Sequence, residues 1–446
     1  MATASANSFS ADAARALAGP EWLRQRRAAA AEELAAAALP TTAAEQWRYS
    51  AIADFDPDAY RPAAAEAGSS QAQASPGAPS AAAQAAALFD CDASETAAVI
   101  DVADGRIVAL RGAGELASQG VRVGALADSP GGAELLGAVA SGSADYFTVF
   151  NDAFTDTPIL VDVPAGVEVD GVIAIRHHLG TAKTAAFPRL LVRVAENSAA
   201  TVLDVQRCGT AALLVPVVEL DVAAGARLGY VNLQNHHRKA WQIAAHTARV
   251  EREASLTVAS LALGGGYART RTDTRLVGRG AGGDLLSAYF GSGDQILDFR
   301  TYQDHAAADT ASNLLFKGAV GESARSVYTG LIRVRPEARG TNAVQTNRNL
   351  KLSEDAWAES VPNLEIENNE VRCAHASAVG PVDADQVFYL ESRGVPTAVA
   401  ERLIVAGFFD EVLEAFPVES AAQAARSAVA VKLNQMLNAT AEAAAA

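Results

Sequence analysis

The stretch "VVELDVAAGARLGYVNL", residues 217–233, holds two strand patterns on either side of a turn made of small residues. In each half, apolar residues alternate with polar or small ones, which is the period of two that is typical of a β-strand. The two halves are separated by the short segment "AAGA". One such unit predicts a pair of strands joined by a tight corner.

Units of this kind recur along the middle of the chain. Similar segments begin at Val163, Val194, Val222, Val250 and Val277, roughly 27 to 31 residues apart, with no long helical period between them. A repeat of this length suits a β-solenoid, in which each coil buries its apolar face by stacking on the next coil. A β-sandwich also has short strands, but its turns have no reason to keep a fixed long period. The pattern therefore favours a mainly β solenoid, with a sandwich as the alternative.

Both ends of the chain have helical character. Residues from about 11 to 38 are rich in Ala, Leu, Glu and Arg, which favour helix, and residues 63–87 form a low-complexity segment that predicts a linker. Near the other end, Asp383 or Asp385 can cap a helix, and Gly394 and Pro396 mark a break between two helices. We therefore expect an N-terminal helical region with its linker over residues 1–90, a β core over residues 91–380 and a C-terminal helical domain over residues 381–446.

The composition excludes several classes of protein. The net charge is -16 and the pI is about 4.9, so the chain lacks the excess of Lys and Arg that binds nucleic acid or an anionic membrane. Three cysteines, Cys91, Cys208 and Cys373, form neither a disulfide framework nor a zinc motif. The first thirty residues lack the continuous apolar core of a secretory signal. We expect a cytoplasmic protein with neither nucleic-acid nor membrane partners.

Most motifs that could carry chemistry have a plainer structural explanation. Phosphate-binding loops are absent from the sequence, and "LGGGYAR", residues 263–269, predicts a tight turn between strands. The pairs His177-His178 and His236-His237 would point to opposite faces of a strand, which disfavours chelation of one ion by both rings.

An acidic segment, "DQILDFRTYQDH" at residues 294–305, leaves one enzymatic alternative open. It could bind calcium as in a β-helical carbohydrate-active enzyme, although solvation of strand faces and turns is the commoner role of such acids. No neighbouring Lys/Arg pattern marks a base for sugar elimination.

The segment "NNEVRCAHASAVG", residues 368–380, brings together Cys373 and His375. Residues i and i+2 of a strand point to the same side, so a thiolate and an imidazole could meet one ligand there. Both donors suit iron, zinc or copper, but two donors do not complete a site, so further ligands would come from a partner chain. From these residues alone, a half-buried cysteine beside a hydrogen-bonded histidine remains the other interpretation.

Four blocks between about residues 315 and 409 carry a family resemblance. They are, in order, "YTGLIRV", "TNAVQTNRNLKLS", "PNLEIENNEVRCAHA" and "FYLESRG", and "EQWRY" at residues 45–49 adds an N-terminal element. Together they resemble the SufB/SufD family of the SUF iron-sulfur cluster assembly machinery. The resemblance implies a right-handed parallel β-helix core flanked by N-terminal and C-terminal α-helical domains.

Within the family, the chain resembles the SufD branch. SufB chains are usually longer and typically have Glu after the motif histidine, where this chain has Ala376. The chain departs from the usual SufD pattern at the same residue, which is usually Gly, and at Ala378, which is often Thr. These differences concern the backbone geometry around the motif more than which side chain would donate to a metal.

The resemblance also implies a function, a cofactor and partners. It implies a non-enzymatic scaffold that pairs with a SufB-like paralogue through the β-helix, or with itself when alone, and that docks the SufC ATPase through its C-terminal helices. A transient iron-sulfur cluster would form at the SufB interface with His375 as a ligand and Cys373 as a neighbour, and the isolated chain would hold no cofactor. The residues placed at the SufC contact are Phe388, Tyr389, Leu390, Arg393, Leu403, Ile404 and Phe408. The alternatives are a sulfur-accepting SufB-type scaffold, the β-helical carbohydrate-active enzyme, and a purely structural protein in which His375 is dispensable.

Overall fold

The computed structural model describes residues 8–63, 95–140 and 145–445, with side chains to residue 437. Its α-helices are α1 (Ala11–Ala16), α2 (Glu21–Ala36), α3 (Ala113–Ala117), α4 (Gly132–Leu135), α5 (Tyr146–Phe154), α6 (Ala384–Ser392), α7 (Thr397–Leu413) and α8 (Glu419–Ala445). The 3-10 helices are Glu45–Trp47, Ile52–Asp54, Pro57–Ala59 and Leu126–Asp128. The single helix expected over residues 11–38 is two helices, because Gly19 has a φ of 142° and Pro20 starts α2 as its N-cap. The break predicted at Gly394 and Pro396 is confirmed between α6 and α7.

The strands occupy most of the chain between α2 and α6. They are β1 (Arg61–Pro62), β2 (Thr96–Ala103), β3 (Arg106–Arg111), β4 (Arg122–Ala125), β5 (Ile159–Val163), β6 (Glu168–Leu179), β7 (Thr184–Ala186), β8 (Arg189–Val194), β9 (Ala199–Cys208), β10 (Leu213–Leu214), β11 (Val217–Val222), β12 (Arg227–His236), β13 (Trp241–Val250), β14 (Ser255–Ala262), β15 (Tyr267–Leu276), β16 (Gly282–Gly291), β17 (Ile296–His305), β18 (Ala311–Val320), β19 (Arg325–Val334), β20 (Asn342–Lys351), β21 (Trp357–Ile366) and β22 (Arg372–Pro381).

Two sheets alternate along the chain and form a β-solenoid of about eight coils, and their strands are parallel except for the antiparallel pairs β2-β3 and β4-β5. Sheet A has the order β21-β19-β17-β15-β13-β11-β8-β5-β4, and sheet B has the order β22-β20-β18-β16-β14-β12-β9-β6-β2-β3. Successive coils stack strand on strand in register, as in the pairing of Trp241 to Val250 with Tyr267 to Leu276. The solenoid prediction is confirmed, and the sandwich alternative is wrong.

A residue of positive φ turns the corner in successive repeat units. In the five units found in the sequence, φ lies between 55° and 72° at Gly166, Asn197, Gly225, Glu253 and Gly280. The corners also stack, because the N–H of Asn197 donates to the Ala224 carbonyl and the N–H of Gly225 donates to the Arg252 carbonyl, at 3.0 and 2.8 Å. Gly225 has a second reason to be glycine, since a Cβ there would collide with Oδ1 of Asn197. The repeat in the sequence is therefore the repeat of this corner.

The inward rows of the two sheets form the main core. Residues such as Val192, Leu220 and Leu256 are fully or almost fully buried between the sheets. Polar residues also lie inside the coils and bond to each other, as Tyr230 does by donating to Asp204 Oδ2 at 2.8 Å. Burying apolar area in stacked coils is the main stabilising contribution of this architecture.

The outer faces of both sheets are covered by helical segments. On sheet B, α7 and α8 pack through an apolar cluster in which the rings of Phe290 and Phe409 stack at 6.3 Å. On sheet A, the segment containing Trp47 packs with Phe147 of α5 at a ring distance of 5.4 Å.

Several sequence expectations stay untested by this arrangement. The linker predicted over residues 63–87 lies outside the described residues apart from Ala63, as do the boundary near residue 90 and Cys91. The three-part division of the chain therefore remains a prediction. Among the helices that the structure describes, none is both long and apolar enough to cross a membrane.

Candidate functional site

Cys373 and His375 lie on β22, the last strand of sheet B. β22 pairs with β20 in register, which sets Cys373 beside Ala343 and His375 beside Gln345. Ala343 and Gln345 are fully buried and belong to the inward row of their coil, so the two site residues continue that row. His375 is nevertheless exposed, because β22 is the terminal strand of its sheet.

The thiol of Cys373 is the less available of the two donors. Cys373 is half-buried and packs against a small apolar cluster that includes Ile332, Val334 and Leu364. Burial raises the pKa of this thiol, and a hydrogen bond with the backbone of Ala343 opposes the shift only in part. The thiol is therefore mostly protonated at neutral pH, whereas the imidazole of His375 is open to solvent.

The residues that the structure describes do not complete a metal site here. Within the residues described, no group of three or more His, Cys, Asp and Glu side chains could hold a metal ion. Cys373 and His375 could supply one side of a site only if other ligands came from elsewhere. Several apolar residues are exposed at this end of the solenoid. They are Val344 on β20, Trp357 and Ile366 on β21, and Val379 on β22.

Gln345 is a neighbour of His375 that sequence reasoning missed. Its side-chain amide is fully buried, and neither Oε1 nor Nε2 has a hydrogen-bond partner in the described part of the chain. A free donor and a free acceptor therefore lie on the strand next to His375. The only sequence signal was the position of Gln345 in the block "TNAVQTNRNLKLS".

The residues predicted to contact a partner ATPase fall into two groups. Phe388 and Tyr389 are 70% and 57% exposed on α6, and Leu403 is 53% exposed on α7. Arg393 is exposed and lies over the ring of Tyr389 at 5.1 Å. The half-buried members are Leu390, Ile404 and Phe408, and the last of these packs with the cluster between α7 and sheet B.

The other motifs singled out in the sequence have structural partners. The turn predicted at residues 263–269 connects β14 to β15. His236 is buried and its Nε2 lies 2.5 Å from Gln242 Oε1, and His177 Nε2 lies 3.6 Å from Asp204. Burial lowers the pKa of both imidazoles, for His236 to about 4.

The acids of the calcium alternative are paired with arginines. Asp298 contacts Arg269 and Arg300 at 2.5 and 3.2 Å, and Asp304 contacts Arg335 at 2.6 Å. Carboxylates held by guanidinium groups in this way are structural ion pairs, and they do not converge on a vacant cation position.

The chain is similar to a protein-family model and to several known proteins. The family model described as "SUF system FeS cluster assembly, SufBD core domain" matches residues 177–408. An iron-sulfur cluster assembly SufBD family protein of Mycobacterium tuberculosis is 38% identical over 280 residues, which cover 61% of this chain and 68% of that protein.

Two similar proteins carry the name SufD. The iron-sulfur cluster assembly protein SufD of Escherichia coli is 31% identical over 204 residues, 46% of this chain and 48% of that protein. SufD of Bacillus subtilis is 37% identical over 146 residues, 33% of each chain. The β-solenoid and these similarities define a protein of the SUF iron-sulfur cluster assembly system. The chain belongs to the SufB/SufD family.

Proposed function

We propose that this chain is a SufD-like, non-enzymatic scaffold subunit that works in the cytoplasm. In this proposal it pairs with a SufB-like paralogue and supplies His375 to an iron-sulfur cluster that forms transiently at their junction. The observation that carries the proposal is the exposed imidazole of His375 on a terminal strand, where the described residues provide too few donors to hold a metal alone.

The edge of sheet B supports pairing with another chain. The terminal strand β22 leaves backbone donors and acceptors that another strand can use. Exposed apolar side chains on the last coil, Trp357, Ile366 and Val379, would be covered by such a partner. Pairing at this edge would bring donors from the partner close to His375.

The C-terminal helices support docking of an ATPase of the SufC type. An apolar cleft of about 400 Å³ lies between α7 and α8, lined by residues such as Leu403, Val429 and Leu433. Arg402 and Asn434 close one part of it through a hydrogen bond of 3.2 Å. With Phe388 and Tyr389 on α6, this surface offers aromatic and aliphatic anchors of the kind that dominate protein interfaces.

The scaffold proposal is tested by His375→Ala in the complete complex. The variant and the wild type are each co-expressed anaerobically with the cognate SufB and SufC chains, and complex formation and visible iron-sulfur absorption are measured. We expect the complex to form and the absorption to be lost, because one ligand is removed without changing the apolar edge.

The matched control is His178→Ala, which removes another imidazole from sheet B that is exposed and lies on β6, far along the solenoid from β22. An intact complex with undiminished absorption in His375→Ala would overturn the ligand role and favour the purely structural alternative. A sulfur-accepting SufB-type role predicts instead that Cys373→Ser abolishes the absorption while His375→Ala does not.

A further inference from the structure

A groove on the outer face of sheet A has no part in the proposed scaffold function. Its volume is about 620 Å³, and it lies between residues 44–46 and the strands β15, β17, β19 and β21. Three arginines line it, Arg269, Arg271 and Arg300, together with Tyr302 and Thr329.

The N-terminal element "EQWRY" builds one wall of this groove. The guanidinium of Arg269 lies 3.9 Å from the ring centroid of Trp47, which is almost fully buried. Nη2 of Arg269 donates to the carbonyl of Gln46 at 3.0 Å. The element therefore orients Arg269 and places Glu45 and Gln46 at the rim.

The floor of the groove contains more hydrogen-bond donors than acceptors. Asp298 is fully buried and accepts from Arg269 Nη1 at 2.5 Å and from Arg300 Nε at 3.2 Å. Arg271 donates to both carboxylate oxygens of Asp273 at 2.9 and 2.6 Å, and its Nη1 lies 3.7 Å from Asp145. The charges are close to balance, but each guanidinium has five N–H donors and these carboxylates do not use all of them.

Arg300 is the least satisfied of the three arginines. It is only 9% exposed, and its Nη2 is buried without a hydrogen-bond partner among the residues that the structure describes. It also lies directly beside Arg271 on the neighbouring strand, and like charges in that position repel each other. Burial lowers the pKa of Arg300, the attraction of Asp298 opposes the shift in part, and the charge of Arg269 adds to it.

We infer that this groove binds a small molecule with one oxyanion group, phosphate or carboxylate, through Arg300 and Arg271. The planar fork of a guanidinium matches both groups, and an anion between the two arginines would relieve their repulsion. The carboxylates of Glu45 and Glu365 line the rim and oppose a ligand of high negative charge. The anionic group therefore belongs on the floor and an uncharged part of the ligand faces the rim.

The test is calorimetric titration of the full chain with phenyl phosphate and, separately, with benzoate at low ionic strength. We expect saturable binding of one of the two, which identifies phosphate or carboxylate as the group recognised. Arg300→Gln should weaken this binding at least about tenfold. Arg279→Gln should leave it unchanged, because Arg279 is 72% exposed and pairs with Asp309 away from the groove.

A second variant keeps the test decisive if Arg300→Gln unfolds the protein, which circular dichroism reveals. Thr329→Tyr leaves all three arginines in place and fills the groove beside Arg300, with which Thr329 is in register. Loss of binding in either folded variant supports the site. Absence of binding up to about 1 mM of both probes, or binding retained in every folded variant, overturns it. The readout does not involve SufB, SufC or a cluster, so it is independent of the scaffold proposal.

Discussion

His375 lies directly beside Gln345 in the register of sheet B, yet Gln345 is fully buried and His375 is exposed. The two side chains occupy the same inward row of consecutive coils. The difference arises because β20 has a strand on either side while β22 has a strand on one side. An imidazole that would be buried in an inner coil is therefore presented at the end of the solenoid.

The reactivity of Cys373 should reflect its burial. Since burial raises the pKa of this thiol, we expect its alkylation by iodoacetamide at pH 7.5 to be slower than that of a free cysteine and to increase with pH beyond the ordinary thiol range. Peptide mass spectrometry follows the modification at this residue. Cys208, which is buried and bonded to the Thr210 carbonyl at 3.2 Å, serves as the protected control. Labelling of Cys373 as fast as that of a free thiol would contradict the prediction.

Glu219 should be among the most important charged residues for stability. It is fully buried, accepts from the backbone N–H groups of Gly137, Val139 and Ala140, and contacts Arg189 at 2.6 Å. Glu219→Gln removes the charge and leaves the buried Arg189 guanidinium paired with Asp152 alone, at 3.0 Å, so we expect a loss of about 3 kcal/mol in the free energy of unfolding.

Urea denaturation measures this loss, and Glu168→Gln is the control. Glu168 also pairs with an arginine, but its side chain is 74% exposed, so its removal should cost less than about 0.5 kcal/mol. Equal losses in the two variants would show that burial does not decide how much these ion pairs contribute to the free energy of unfolding.

Lys317 should anchor helix α7 to sheet B. Its side chain is buried, its Nζ donates to the Phe408 carbonyl at 2.8 Å and contacts Glu411, and it lies 4.5 Å from the centroid of the Phe408 ring. Lys317→Met keeps the apolar stem and removes the ammonium group, for which we expect a loss of about 1–3 kcal/mol.

Urea denaturation measures the loss of free energy of unfolding in Lys317→Met, and Glu411→Gln should lose less. The side chain of Glu411 is 53% exposed, so solvent weakens its attraction to the ammonium group. A larger effect at Glu411 than at Lys317 would mean that the ion pair, and not the bond to the helix carbonyl, holds α7.

Lys432 should make stability depend on pH. Its Nζ lies on α8 and donates to the carbonyls of Leu263 and Phe290 and to Gln295 Oε1, and burial, with a smaller effect of Arg238, lowers its pKa to about 7. The unfolded chain keeps the ordinary pKa near 10.5, so between about pH 7 and 10 it binds more protons than the folded chain. Stability should therefore rise with pH across this window through this residue.

Urea midpoints of wild type and Lys432→Met between pH 7 and 9.5 isolate this contribution. Other titrating groups are common to both proteins, so the difference between the two curves belongs to Lys432. We expect that difference to change by up to about 1 kcal/mol per pH unit. Parallel curves would show that the lysine keeps its proton in the folded state throughout the window.

Local sequence was sufficient to predict the architecture, since the corner recurs in each unit. Asn197, Gly225 and Glu253 each occupy the same backbone conformation at equivalent positions, and their flanking strands alternate apolar and polar residues. The interruption at Gly19 and Pro20 also has a local signal, because proline lacks the backbone N–H that a continuous helix would need. The "EQWRY" element is recognisable in the sequence, but its contact with Arg269 joins residues 223 positions apart and has no local signal.

The sequence by itself determined the repeat, the strands and the pairing of Cys373 with His375 on one strand face, because these follow from the two-residue period and from corner residues close in the chain. Only the tertiary structure decided that the thiol is half-buried while the imidazole is exposed, that the Gln345 amide beside it has no hydrogen-bond partner among the described residues, and that an N-terminal segment forms one wall of the arginine groove. Those properties depend on where the stack of coils ends and on which distant segment covers each sheet. Burial and register between coils are relations among residues about thirty positions or more apart, which the period of a single strand does not encode.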